Sequence, residues 1–166
     1  FTLKNTQLFL LSGLLGNGIP AILFTTAQTK IPSSLAGMLN AFVPILTITI
    51  GALFFSLKFE KRHILGILLG FIGVLGLLYF KDTLTLSSDS LYGLLVVFAA
   101  ICYSFNVNII KKHLSQYNGI EISSMVFVVL SPIFVALLWS TNFVDKLQEP
   151  HDYVNLGYII VLGVLG

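Results

Sequence analysis

The sequence predicts an all-α membrane protein, a multi-pass helical bundle, and three observations lead there. Mean hydropathy is +0.95. Of 166 residues, 56% are hydrophobic and only 10% charged, whereas a soluble domain carries about 25% charged residues because its surface faces water. Finally, six apolar segments reach or approach the roughly 17–25 residues that cross a hydrocarbon core of about 30 Å. None of the six alternates with a period of two, which argues against a barrel and leaves helices, which satisfy their backbone within one segment.

Segment A runs from about Leu8 to Ala27 and carries Gly16, Asn17, Gly18 and Pro20 near its middle. Segment B, about Ser34 to Leu57, follows Pro32, a residue suited to a helix start. Segment C covers Ile64 to Phe80, D Leu91 to Ile110 and E Ile122 to Ser140. Segment F begins near Val154 and is cut at Gly166 after 13 residues, too few to span. With Phe1 at one end and an apolar run at the other, both ends read as severed, and a fragment of a larger chain is expected. Polar stretches separate the segments: Thr29–Ser33, Lys58–His63, Lys81–Ser90, Lys111–Glu121 and Asn142–Asp152, the last with Pro150 as a loop residue.

Helices alternate sides, so Lys4, Lys58, Lys61, Arg62, Lys111 and Lys112 share one membrane face and Lys30, Lys81 and Lys146 the other. The second face also holds Asp82, Asp89, Asp145, Glu149 and Asp152. Cytoplasmic loops carry the Lys/Arg excess, which places Lys58–His63 and Lys111–His113 in the cytoplasm.

Several chemistries find no support. The net charge of +2 is too small for a nucleic-acid footprint. A single cysteine, Cys102, rules out an intramolecular disulfide and a cysteine-based metal cluster. His63, His113 and His151 fall in separate loops, without the clustering that a metal site needs. No cofactor is implied. An intramembrane enzyme or a channel subunit stands as the alternative reading. The first requires an embedded His, Asp or Glu cluster, and segments A to E hold none; the second requires a re-entrant filter.

An internal match points to architecture. Leu8–Gly16 of A can be laid on Tyr158–Gly166 of F with both glycines in register, Gly13 on Gly163 and Gly16 on Gly166. A five-helix repeat follows. Five is odd, so the copies are inverted across the membrane, an arrangement found in alternating-access transporters.

Residues Ala27 to Phe80 resemble the drug/metabolite transporter superfamily, in particular its EamA-type members. The resemblance rests on Ser33-Ser34-Leu35-Ala36-Gly37, on Asn40 and Pro44 four apart, on Glu60-Lys61-Arg62, and on the Gly-rich run Leu65 to Leu75. Ala99-Ala100-Ile101-Cys102-Tyr103-Ser104 is similar to the first helix of that family's second repeat. The resemblance implies a ten-helix, inverted-repeat fold. Residues 1–80 would close the first repeat, 81–90 would link, and 91–166 would open the second. It also implies a transporter of small organic solutes (metabolite, amino-acid-like or drug-like), often an exporter, in a bacterial inner membrane. The expected partners are the solute and the lipid bilayer; a homodimer stays open.

Candidate site residues follow from polarity in an apolar setting. Gly37, Asn40, Pro44, Thr47 and Gly51 share one face of B, and Asn40 there needs a partner away from lipid. That partner is another helix or a cavity. Pro20 has no N–H and frees a carbonyl near Gly16, giving either a kink closed by Asn17 or backbone opened to a solute. Tyr103 and Asn106 share a face of D, while Ser104 and Asn108 share a neighbouring one, as on a central helix. Asn17, Pro20, Asn40, Tyr103 and Asn106 are the expected substrate-binding residues; all are neutral, against a strongly anionic substrate. The glycines of C (Gly66, Gly70, Gly73 and Gly76) read as a packing stripe, and Ser131-Pro132 in E as a kink.

Overall fold

A computed structural model describes residues 3–58, 61–80, 91–140, 153, 154, 156–158 and 161, and among these the chain is helical apart from short turns. Segment A is a single apolar rod in three pieces. These are α1 (Leu3–Gly13), a π-helical turn (Leu14–Gly18) and α2 (Ile19–Gln28). The wider turn has a local cause. The N–H of Ile19 reaches back five residues to the carbonyl of Leu14, and the next residue, Pro20, has no N–H to continue either register.

Segment B, expected as one helix, is two: α3 (Ser33–Asn40) and α4 (Val43–Phe55). Ala41 and Phe42 form a tight turn, with the Phe42 N–H on the carbonyl of Leu39 at 3.2 Å. Pro44 cannot donate to the carbonyl of Asn40, and its ring crowds that turn. The break divides the polar face read from the sequence. Gly37 and Pro44 are exposed, Asn40 and Thr47 half-buried, and Gly51 buried.

The bounds of the remaining helices lie within three residues of the expected ones. They are α5 (Lys61–Phe80), α6 (Tyr92–His113) and α7 (Gly119–Ser140). A reciprocal cap starts α7: the Glu121 N–H donates to Asn118 Oδ1, and the Asn118 N–H to Glu121 Oε2, each at 2.9 Å. Asn5–Gln28, Ser33–Phe55, Tyr92–His113 and Gly119–Ser140 are each long and apolar enough to cross a membrane. Leu53, Phe54, Leu65, Leu69, Leu94 and Val128 are all more than 60% exposed. In water such a surface would aggregate; in lipid it is the outer face. This is an integral membrane protein.

The chain divides into two compact units, Phe1–Leu130 and Ser131–Gly166. In the first, α6 is the central element, packed by α1, the π-turn, α2, α3 and α4. One core cluster joins Phe9 to Leu114, Ile122, Val126 and Leu130. Another joins Ala27, Ile31 and Ala36 to Val96 of α6. Gly13 lets α1 approach the middle of α7, where an added methyl carbon would meet Leu130 at 2.9 Å. In the second unit the described chain is the end of α7, helical through Pro132, and a few helical residues between Tyr153 and Val161. Gly163 and Gly166, on which the inverted repeat was read, lie outside the described residues, as do 81–90 and 141–152.

Two expectations meet different outcomes. Of the basic residues assigned to one membrane face, Lys112 meets the end of α4, three residues before Lys58. There Lys112 Nζ donates to the Phe55 carbonyl at the end of α4 (3.1 Å) and lies 5.5 Å from the Phe55 ring. Asn5, beside Lys4, donates to the Tyr117 hydroxyl at 2.8 Å. The glycine stripe of α5, by contrast, packs on nothing among the described residues. A methyl group added at Gly66, Gly70, Gly73 or Gly76 meets no atom within 4 Å.

Helix α4 ends on Ser56 in the left-handed region (φ 53°, ψ 32°), a conformation that costs an L-residue about 1 kcal/mol and that glycine normally supplies at helix ends. Ser56→Gly should therefore raise stability by up to about 1 kcal/mol, read as a higher unfolding midpoint in detergent. A lower midpoint would show that the serine contributes more than its backbone.

Candidate functional site

The polar side chains of α6 are divided between two sets of neighbours by helical spacing. Ser104 and Asn108, four apart, look to α4. The Ser104 hydroxyl donates to Ala100 O at 2.7 Å and to Val43 O at 3.2 Å. Asn108 Nδ2 donates to Ser104 O at 2.8 Å and to Thr47 O at 2.9 Å. Both side chains are fully buried. The pairing to backbone carbonyls of α4 makes this a packing face, each interhelical bond contributing about 0.6 kcal/mol in a membrane. Phe105 adds ring contacts with Phe54 and Phe55 at 5.6 and 6.4 Å.

Tyr103 and Asn106 lie toward segment A. The Tyr103 ring meets Phe24 of α2 at 6.4 Å, tilted by 58°. Asn106 accepts the hydroxyl hydrogen of Ser12 on α1 at 2.5 Å. Its amide covers Gly16 of the π-turn so closely that an added methyl carbon would stand 2.8 Å from Asn106 Cγ. Four residues on, Pro20 is fully buried. Whether the helix is counted in the α or the π register, Pro20 leaves one carbonyl, of Gly16 or of Leu15, without its donor. Asn106 thus sits where the backbone of segment A is interrupted.

Residues 2–79 match the model of the EamA-like transporter family. Over this segment the chain is similar to that family. Its members are membrane transporters of small solutes, not enzymes. No curated protein and no solved structure matches the chain.

Of the five residues proposed from sequence, Asn17, Pro20 and Asn40 fall within the EamA-like segment, and Tyr103 and Asn106 beyond it. Pro20 and Asn106 are brought to the same π-turn. Asn17, on that turn, is exposed. Asn40 ends α3 at the break before Pro44, and among the described residues its buried Oδ1 has no hydrogen-bond partner. Among the described residues none of the five bonds directly to another. An orphaned buried oxygen costs about 1–3 kcal/mol, so Asn40 marks a point where the EamA-like fold leaves an acceptor open. Asn108 Oδ1 is open in the same way, its amide turned by the two carbonyls that take its hydrogens.

Sequence reasoning overlooked Ser12. The signal was there: Ser12 stands four residues before Gly16, one turn away on the same face. Gly16→Ala should push the Asn106 amide away and break the Ser12 bond. The expected loss is about 1–3 kcal/mol, measured by thermal unfolding. Gly37→Ala, where an added methyl meets nothing, should cost no more than a few tenths.

Proposed function

We propose that this EamA-like protein moves a small organic solute (a metabolite, amino-acid-like or drug-like compound) out of a bacterial cell across the inner membrane by alternating access. Asn17, Pro20, Asn40, Tyr103 and Asn106 line the solute path. The observation that carries the reading is the interrupted helix: a membrane span of the transporter family opens into a π-turn ahead of Pro20, and α6 lays Asn106 upon it. Such interruptions near the midplane offer backbone groups to a solute. Residues 1–80 and 91–166 form parts of two successive inverted repeats joined by 81–90. The end of the family match at residue 79 supports that division.

Two experiments test this. Asn17→Ala, Asn40→Ala, Tyr103→Phe and Asn106→Ala are made in the full-length protein, and export of a radiolabelled amino-acid and metabolite panel is measured beside melting temperature. Path residues should lose about tenfold or more in transport, roughly 1.4 kcal/mol, at unchanged expression. Unchanged export in all four sinks the site.

For sidedness, single cysteines at Lys61 and Ser88 in a Cys102→Ser background are probed in intact cells with an impermeant thiol reagent. The cytoplasmic assignment of the basic end predicts labelling at 88 and none at 61. The reverse pattern would invert the topology.

A further inference from the structure

Ser12 has no part in the reading above, yet it is 1% exposed and gives its hydroxyl hydrogen to Asn106 Oδ1. A primary amide has two ends, an acceptor oxygen and a donor N–H2, and a free one presents either by turning over. In Asn106 the acceptor end is taken. The donor end lies over Gly16, and only the missing side chain of that glycine leaves it room. Among the described residues nothing accepts the Nδ2 hydrogens. The amide is therefore held by a buried hydroxyl with its donor end unspent, beside the interrupted backbone of the π-turn.

We propose that Ser12 is a positioning residue that fixes Asn106 with its N–H2 offered to the solute, so that this point of the path takes the carbonyl oxygen of an uncharged group. The inference rests on Asn106 lining the path. Charge decides between acceptors: a carboxylate would need a cationic partner, and no Lys or Arg lies within the membrane core of segments A to E. An ammonium group, itself only a donor, would set N–H against N–H.

Two probes of equal length separate these chemistries. N,N-dimethylbutyramide can only accept a hydrogen bond, and butylammonium can only donate. Binding of each to the full-length protein in nanodiscs is measured by saturation-transfer NMR. The wild type should favour the amide probe by about tenfold or more. Asn106→Asp keeps an acceptor for Ser12 but loses the N–H2, and should reverse the preference. Ser12→Ala frees the amide to turn and should bring the two affinities to within about threefold, while Ser12→Thr, which restores a hydroxyl, should recover selectivity.

A wild type that binds neither probe, or prefers butylammonium, overturns the proposal. So does a Ser12→Ala protein as selective as the wild type, or an Asn106→Asp protein that still favours the amide. If Ser12→Ala does not fold, the reversal in Asn106→Asp decides alone. Loss of transport in Asn106→Ala together with unaltered selectivity in Ser12→Ala would reject the positioning role and leave the path standing. Full transport in Asn106→Ala would reject the path itself.

Discussion

A polar side chain on a membrane helix has no water to fall back on, so another part of the protein must meet it. On α6 this constraint organises the first unit. Ser104 and Asn108 reach carbonyls of α4, Asn106 takes the hydroxyl of Ser12 on α1, and Lys112 closes the end of α4. Three of these bonds tie α6 to α4 and one ties it to α1. The helix is central because its polar groups point both ways and each needs a partner. Apolar packing fills in around them, with Val96 among Ala27, Ile31 and Ala36.

The two faces of α6 differ in what they leave unfinished. Toward α4 the donors are spent on backbone carbonyls, and the result is a seam. Toward segment A the donor end of Asn106 is unspent, and the facing backbone is irregular. Both irregularities of the EamA-like segment sit at prolines: the π-turn ahead of Pro20 and the turn at Ala41–Phe42 ahead of Pro44. Proline removes one backbone donor from a helix that has no spare water. In the proposed solute path, that missing donor leaves a carbonyl for the solute to meet.

Glycine shows how far composition alone can mislead. Gly13, Gly16 and Gly93 are all close-approach positions, facing Leu130, Asn106 and Leu39. The regular series in α5 looked the stronger packing motif, yet among the described residues its four glycines meet no neighbour. Periodicity shows that a helix could be approached along a stripe. Only an actual neighbour determines that it is.

The class of the protein and the spans of its helices were legible in the residues, because lipid imposes a length and an apolarity that no soluble helix needs. Helix alternation also puts Lys58 and Lys112 at one end, and for that pair the contact of Lys112 with Phe55 agrees. Asn40, Pro20 and Asn106 stood out as polar or irregular groups in apolar surroundings. Their partners did not, since a hydrogen bond from Ser12 to Asn106 spans 94 residues and leaves no periodic trace. Which end of the Asn106 amide is free, where segment B breaks, and which glycines are covered were decided by tertiary structure. Each depends on the distance between two helices, and local sequence carries no measure of that distance.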